Sequence, residues 1–269
     1  MGDADHGGLY VATYNVLCPV YGVKWAEREA CRDHTAQDRE SNWDVRWPAL
    51  KRNLALARWD VVCIQEAEDA TRTHLEQAAT EMEMEFCFIP HTKRQDALAM
   101  MYRPSRLELI KHDVRDFCGS STGLLELRDL RTQATVRVLC THQRGGKPEQ
   151  MADLIEYAEI DPASDCTVIC GDFNEDFNVT GKHPAGYAWA NRGDHDLSMV
   201  SRPDHKQGDD QTSGKGKVDW IFVKGGTVEY DDVCVRGVVQ THVACPETFQ
   251  WPSDHGLECG LVKLNRGSV

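Results

Sequence analysis

The stretch VICGDFNED, residues 168–176, joins the pattern of a buried strand to a dense cluster of polar side chains. Val168, Ile169 and Cys170 come first, and Gly-Asp-Phe-Asn and two further acids follow at once. A turn between two strands would by itself account for the Gly-Asp pair. A turn does not require the further polar residues Asn174, Glu175 and Asp176. The stretch therefore predicts a buried strand that carries functional side chains at its end.

The length and composition predict a globular protein. The chain has 269 residues and no Pro/Gly/Ser-rich linker that would divide it, and this length permits one or two domains. No apolar run approaches the roughly 20 residues that span a bilayer. The first residues, MGDADHGG, are polar and acidic, unlike a signal peptide. These features predict an intracellular protein, cytoplasmic or nuclear, that does not bind membranes.

The cysteine and charge counts exclude several classes of site. Eleven cysteines, an odd number without a Cys-x-x-Cys pair, predict free thiols rather than a disulfide framework or a zinc site. The formal net charge of −13 argues against broad binding to nucleic acid, which needs a basic surface. An anionic substrate stays open, because a local basic rim can attract it.

Strand and helix patterns are mixed along the chain. Short runs rich in Val, Ile, Leu and aromatic residues predict strands at 9–17, 60–66, 85–90, 97–103, 136–142, 166–172, 217–223 and 256–264. Helical spacing predicts helices at 47–59, 70–82 and 148–160, the first of them starting near Pro48. With a hairpin predicted around 126–138, the order indicates a layered α/β fold containing antiparallel strands.

Several predicted strands end on, or are interrupted by, polar residues. In layered α/β proteins such strand ends commonly meet at one edge of the sheets. If they do so here, the site contains carboxylates, amides and imidazoles but no cysteine, which suits Mg²⁺ or Mn²⁺. The members of this set are Asn15, Glu66, His142, Asp172, Asn174, Asp219, Asp254 and His255.

These residue types fit metal-assisted hydrolysis of a phosphate ester. A hard cation neutralises phosphate charge and stabilises the leaving oxygen. A nearby carboxylate can orient or deprotonate a water, and an imidazole held by Asp219 can stabilise charge in the transition state. Ordinary structural roles remain open for single residues: Glu66 as a surface acid, His142 as a solvated histidine and Asn15 as a buried amide. Asp219 lies between two apolar residues and needs a partner in any case.

Six short motifs in fixed order resemble the endonuclease/exonuclease/phosphatase superfamily. They are YNVL, CIQE, CTH, GDFN, VDWIF and PSDH, and they extend from residue 14 to residue 255. The resemblance implies a single catalytic domain over residues 1–269. Its fold would be a four-layered α/β sandwich, in which helices flank two mixed β-sheets, as in exonuclease III and DNase I.

The resemblance also assigns roles within the predicted site. Glu66 would be the principal magnesium ligand, Asn15 would lie beside it and support the metal or the scissile phosphate, and Asp254 would contribute to the metal environment. Asp172 would lie at the metal and position or activate the attacking water. Asn174 would bind the phosphate or the water, and His142 would bind a phosphate oxygen. His255, held by Asp219, would contact the scissile phosphate.

Departures from the superfamily pattern indicate a branch. Repair enzymes of the exonuclease III type carry an acid where this chain has Leu17 and a tyrosine where it has His142. YNVLCP and the Trp-x-x-Arg pattern within residues 42–66 are instead similar to nocturnin, the poly(A) deadenylases and the 2′,5′-phosphodiesterases. This branch implies a 3′-5′ exoribonuclease that acts on single-stranded RNA or a small adenine nucleotide. We further expect the protein to be a monomer.

Basic and aromatic residues are candidates for substrate contacts. Lys93, Arg94 and Arg144 are predicted to bind phosphates; Lys147, Lys215 and Lys217 would complete a basic rim. Phe117, Phe177 and Trp251 could stack on a base or pack in the interior.

Three alternatives remain at this point. The first is a phosphatase or phosphodiesterase that acts on a small metabolite, an inositol phosphate or a lipid head group. The second is a DNA-repair endonuclease, and the third is a non-catalytic binding module.

Overall fold

The structure, a computed structural model, describes residues 7–21, 42–117, 119–145, 147–160, 164–189, 218–229, 253, 255 and 257–264. The strands in these ranges are β1 Leu9–Asn15, β2 Val61–Ala67, β3 Glu85–Ile89, β4 Ala97–Tyr102, β5 Leu107–Phe117, β6 Ser120–Asp129, β7 Thr135–His142, β8 Cys166–Asp172, β9 Ala188–Trp189, β10 Asp219–Lys224, β11 Gly226–Glu229 and β12 Glu258–Leu264. The helices are α1 Trp43–Leu54, α2 Asp69–Glu81, α3 Pro148–Ala158 and α4 Phe177–Thr180.

The strands form two mixed sheets of six strands each. The first has the order β11-β12-β1-β2-β4-β3 and the second β5-β6-β7-β8-β10-β9. Each sheet contains one parallel pair near its centre, β1 with β2 and β7 with β8, and its other pairs are antiparallel. The predicted hairpin is present as β6 and β7. Because parallel neighbours run in the same direction, their carboxyl ends lie at the same edge of a sheet.

Three apolar clusters show how the layers pack. One cluster joins the facing sides of the two sheets and includes Val61 and Cys63 of the first sheet together with Val138 and Val168 of the second. Another cluster packs α1 and α2 on the outer face of the first sheet, and the last packs α3 and α4 on the outer face of the second. The order helix, sheet, sheet, helix confirms the predicted four-layered α/β sandwich.

Helix α1 begins earlier than its sequence pattern predicts. The side chain of Asn42 accepts hydrogen bonds from the backbone nitrogens of Asp44 and Val45, which caps the first turn. Pro48 therefore lies inside the helix rather than at its start. The cap determines the first residue of this helix, and the proline costs one hydrogen bond within it.

The sequence pattern does not predict strand β5, because its residues lack a buried face. Charged residues such as Lys111 and Arg115 lie between its apolar residues, and Ile110 and Val114 are exposed. The strand is the edge of the second sheet and is paired along its length with β6. Charged side chains along such an edge discourage pairing with another chain. The pairing partner, rather than a local apolar pattern, makes this segment a strand.

Within the described ranges, no helix is long and apolar enough to cross a membrane.

Candidate active site

Strand register brings the polar strand ends together. In the first sheet Asn15, the last residue of β1, lies opposite Gln65, which precedes Glu66 in β2. In the second sheet Asp172, the last residue of β8, lies opposite both His142 and Asp219. The predicted site therefore forms where the ends of β1, β2, β7 and β8 meet the start of β10.

Gly171 is needed where β8 passes β7. Its φ angle is +148°, and a Cβ atom built on it would lie 1.9 Å from the carbonyl oxygen of Thr141. Any side chain at this position would force the two strands apart. The glycine of GDFN thus allows the close approach that sets Asp172 beside His142.

Glu66 has a strained backbone. Its φ angle is +59°, and the pairing of β2 with β4 shifts register between Ile64 and Ala67, so Glu66 lies in a β-bulge. A bulge re-aims side chains that would otherwise follow strict alternation. Left-handed backbone at a residue other than glycine is uncommon and concentrates at functional sites. Leu17 and Asn174, which flank the same site, also have positive φ angles.

One amide group links the two central carboxylates. The Nδ2 atom of Asn15 donates to Glu66 Oε1 at 2.9 Å and to Asp172 Oδ2 at 3.0 Å. Its Oδ1 atom accepts from the backbone N–H of Leu17 at 3.0 Å, which fixes the orientation of the amide. The amide nitrogen, not the oxygen, thus faces the carboxylates. In this geometry Asn15 holds the two carboxylates in place, and its predicted role at the metal stays a prediction.

Asp219 and His255 form the predicted pair. The Nδ1 atom of His255 lies 2.7 Å from Asp219 Oδ2, and both side chains are buried. Because Nδ1 is directed at the Asp219 carboxylate, which accepts its hydrogen bond, the opposite ring atom Nε2 faces the centre of the site. It lies 3.7 Å from Asp172 Oδ2. The backbone N–H of His255 donates to Ser253 Oγ, which itself donates to the carbonyl of Asn15 at 2.6 Å.

His142 faces Asp172 from the other side. Its Nε2 atom lies 3.6 Å from Asp172 Oδ2 and 3.8 Å from Glu66 Oε1, and its Nδ1 atom lies 3.3 Å from Asp96 Oδ2. Burial lowers the pKa of His142, but the hydrogen bond to Asp96 and the charges of Asp172 and Glu66 outweigh burial, and the pKa is raised. The imidazole is thus surrounded by negative charge.

Asp96 is a site residue that the sequence analysis missed. Besides His142, it binds Tyr21 Oη at 2.7 Å and Arg94 Nη2 at 2.9 Å. Burial raises the pKa of Asp96, but the hydrogen bond from His142, that from Tyr21 and the charge of Arg94 outweigh burial and lower the pKa to about 2. The available signal was an acid directly before a strand, β4, in which every residue is buried.

Asn174 completes the environment of Asp172. Its backbone N–H donates to Asp172 Oδ1 at 2.8 Å, and its Nδ2 atom donates to the carbonyl of Gln143 at 3.0 Å. The same Nδ2 atom lies 3.3 Å from His142 Nε2. Both oxygens of Asp172 therefore accept a hydrogen bond from an asparagine, at Asn15 or at Asn174.

The predicted basic contacts differ in their surroundings. Lys93 and Arg144 are exposed, as a phosphate contact requires. The side chain of Arg94 is only 16% exposed and is bonded to Asp96. Its guanidinium is therefore already paired with a carboxylate, and its contact with a substrate phosphate stays a prediction.

Phe177, for which both base stacking and interior packing were open, packs in the interior. The ring is buried among Phe173, Trp220 and Phe222, so it offers no surface for a base. The predictions for Lys215, Lys217, Trp251 and Asp254 fall outside the described residues.

Two groups of side chains could hold a metal ion. Ligand atoms of Glu66, His142 and Asp172 lie within 4.8 Å of one another, and so do those of Asp172, Asp219 and His255. Two buried carboxylates this close repel each other unless positive charge lies between them. Carboxylate oxygens also match the preference of hard divalent cations. The donor set at Glu66 and Asp172 therefore fits such a cation.

Comparisons with known proteins agree with this geometry. A layered sandwich with acids and imidazoles at one sheet edge defines a DNase I-like hydrolase of phosphate esters. The chain belongs to the Endonuclease/Exonuclease/phosphatase family, whose profile matches residues 12–255. Members of this family hydrolyse phosphate esters with the help of divalent metal ions. Among curated protein sequences, none matches this chain.

Solved structures share the fold over nearly the whole chain. The human Nocturnin catalytic domain with bound sulfate anion has a TM-score of 0.68 and 15% identity and covers 98% of this chain and 96% of that chain. A Bacteroides vulgatus endonuclease/exonuclease/phosphatase has a TM-score of 0.66 and 15% identity, covering 96% and 99%. TDP2 from C. elegans has a TM-score of 0.65 and 16% identity, covering 97% and 76%. At such low identity the likeness establishes the fold alone.

Proposed function

We propose that the protein is a magnesium-dependent phosphodiester hydrolase that removes nucleotides from the 3′ end of single-stranded RNA, with adenine favoured. A small adenine nucleotide would enter the same site. The observation that carries the hydrolase part is the position of Asp172 between two imidazoles, whose Nε2 atoms lie 3.6 Å and 3.7 Å from its Oδ2 atom. This arrangement offers one carboxylate for a water and two side chains for phosphate oxygens.

Glu66 and Asp172 are the residues that would hold the cation. When bound, the ion neutralises charge on the phosphate and stabilises the leaving oxygen. Magnesium is proposed because both ligands are carboxylates, and manganese, which has a similar ligand preference, should replace it. Asn15 supports the site by donating to both carboxylates.

Asp172 is the proposed base for the attacking water. The water oxygen forms a new bond to phosphorus, its proton passes to the Asp172 carboxylate, and the bond between phosphorus and the 3′ oxygen breaks. The leaving 3′ oxygen then takes a proton from solvent. Hydrogen bonds from Asn15 and Asn174 fix both carboxylate oxygens, so the base has one orientation.

His142 and His255 are the proposed ligands of the phosphate oxygens. Each is held at Nδ1 by a buried aspartate, so that Nε2 faces the centre of the site. In its protonated form, in which Nε2 carries a hydrogen, an imidazole fixed in this way donates to a phosphate oxygen and needs no reorganisation when charge develops on the oxygens during attack. The main role of each aspartate is thus to orient the imidazole ring of its histidine.

The substrate class is supported by charge and by likeness. With a net charge of −13, the protein should repel long duplexes, whereas a few phosphates need only the cation and local groups such as Lys93 and Arg144. The bound sulfate of the nocturnin structure is an anion with the tetrahedral shape of phosphate. His142 and the Trp43–Arg46 pattern resemble the deadenylase branch.

A parallel time course tests the substrate. The purified protein is incubated with poly(A) RNA, poly(U) RNA, 2′,5′-oligoadenylate, a phosphorylated inositol and duplex DNA containing an abasic site, each with magnesium. We expect fastest cleavage of poly(A), with nucleotides released from the 3′ end. Faster cleavage of the abasic duplex would contradict the RNA assignment but not the hydrolase assignment.

An inactive variant serves as the control. Asp172→Asn keeps the size of the side chain and removes the proposed base, so it should lower every genuine activity in the series by about 10²–10⁴-fold. An activity that is equal in this variant and the wild type comes from a contaminant.

A further inference from the structure

Arg46 is a buried arginine that the proposed reaction does not use. It lies on α1 with 2% of its surface exposed. Its Nη1 atom donates to the carbonyl of Val16 at 2.8 Å, and its Nη2 atom donates to the carbonyl of Leu17 at 2.7 Å. The guanidinium also lies 5.4 Å from the centre of the Trp43 ring. One side chain thus binds two consecutive carbonyls of the segment that follows β1.

That segment, residues 15–18, turns sharply at the edge of the site. Leu17 has a φ angle of +55°, a conformation that a leucine adopts only when its surroundings impose it. The turn directs two backbone N–H groups inwards: that of Leu17 binds Asn15 Oδ1, and that of Cys18 binds Glu66 Oε2 at 3.0 Å. Asn15 and Glu66 are therefore both oriented by the turn that Arg46 holds.

We propose that Arg46 is a positioning residue for the metal site. By holding the carbonyls of Val16 and Leu17, it keeps the strained turn in the shape that aims the N–H groups of Leu17 and Cys18 at Asn15 and Glu66. The inference rests on the proposed function, in which Glu66 is a metal ligand. An arginine is required because its planar fork reaches both carbonyls at once, whereas lysine is a single point charge.

Arg103 provides a matched control at the far end of the same sheet. It is 5% exposed and also donates to two backbone carbonyls, those of Trp59 at 3.1 Å and Met82 at 2.9 Å. It follows Tyr102, which pairs with Val61 at the start of β2, while Glu66 lies near the end of that strand. A change from arginine to lysine should thus disturb packing similarly at both positions and the metal site only at Arg46.

Binding of Mn²⁺, measured by electron paramagnetic resonance without any substrate, tests the proposal. Arg46→Lys should raise the Kd for Mn²⁺ by about tenfold or more, as loss of an outer support of a metal ligand commonly does. Arg103→Lys should leave this Kd unchanged while lowering the melting temperature by a similar amount. Arg46→Gln, in which one amide can still donate to a carbonyl, is the second variant if the lysine variant does not fold.

The outcomes separate this inference from the function it rests on. Glu66→Gln should abolish the Mn²⁺ site; if it binds Mn²⁺ as the wild type does, Glu66 is no ligand and the proposed function fails. If Glu66→Gln loses binding while Arg46→Lys binds like the wild type, only the role of Arg46 is overturned. Equal weakening in the Arg46 and Arg103 variants would also overturn it, because general destabilisation would then explain the effect.

Discussion

The site contains two aspartate–histidine pairs that are built differently. Asp219 and His255 are 2.7 Å apart, and Asp219 is completely buried. Asp96 lies 3.3 Å from His142 and also binds Arg94 and Tyr21 at shorter distances. Both imidazoles nevertheless present Nε2 to Asp172 at nearly the same distance.

The difference follows from where each aspartate lies in the chain. Asp219 belongs to β10 and lies opposite Asp172 in the sheet, so strand register sets its position. Asp96 precedes β4 and is held by a network of polar side chains that includes Tyr21 and Arg94. The hydrogen bond to His255 is also the shorter of the two. We therefore expect His255 to be the more sensitive of the two histidines to loss of its aspartate.

Of the two pairs, the larger effect is expected when Asp219 is changed to asparagine. The variant keeps the shape of the side chain but removes the charge that orients His255, so kcat should fall by about 10²–10³-fold, as for other preorganised groups. Steady-state kinetics on poly(A) RNA measure the change.

Asp129→Asn is the control for Asp219→Asn. Asp129 is also fully buried and bonded to a basic group, Arg106 at 2.9 Å, but it lies at the end of β6 away from the site. This variant should lose stability and keep its kcat. A kcat for Asp219→Asn within about threefold of the wild-type value would show that the pair is not part of the reaction.

A smaller effect is expected for Asp96→Asn. One hydrogen bond of about 0.5–1.5 kcal/mol is weakened, and Arg94, Tyr21 and the facing carboxylates remain, so kcat should fall by about tenfold. Loss of activity as large as in Asp219→Asn would remove the proposed difference between the pairs.

Acid unfolding gives an independent measurement on Asp96. Its pKa is lowered from 3.8 to about 2 in the folded protein, so its contribution to stability is present above about pH 4 and is lost as the pH falls through about 2. The free energy of unfolding of the wild type should therefore drop between about pH 5 and pH 2 by about 2 kcal/mol more than that of Asp96→Asn. Parallel losses in the two proteins would show that Asp96 has an ordinary pKa.

The parts of the site that lie on strands could be predicted from sequence. Glu66, His142, Asp172 and Asp219 follow or interrupt apolar runs, and the edge at which strands end is a property of the fold. The order of the motifs indicated the family, and the family profile matches the chain. The structure has the predicted sandwich fold and the predicted pairing of Asp219 with His255. A strand pattern extends over a few consecutive residues, so it can be recognised in the sequence without knowledge of distant contacts.

The parts that depend on distant contacts could not be predicted. The bulge at Glu66 arises from the pairing of β2 with β4, which no local pattern records. Asp96 has no sequence neighbour that suggests a histidine 46 residues away. The pairing of Arg94 with Asp96 was likewise not predicted. In each case the missing information is a contact between elements.

Metal dependence tests the central claim most directly. The protein is treated with EDTA, dialysed, and assayed on poly(A) RNA before and after addition of Mg²⁺, with Glu66→Gln beside the wild type. We predict that chelation abolishes hydrolysis, that Mg²⁺ restores it in the wild type, and that Glu66→Gln stays inactive although its circular dichroism spectrum is unchanged. Full hydrolysis in EDTA, or restored activity in Glu66→Gln, would contradict the assignment of Glu66 and Asp172 as a metal-dependent centre.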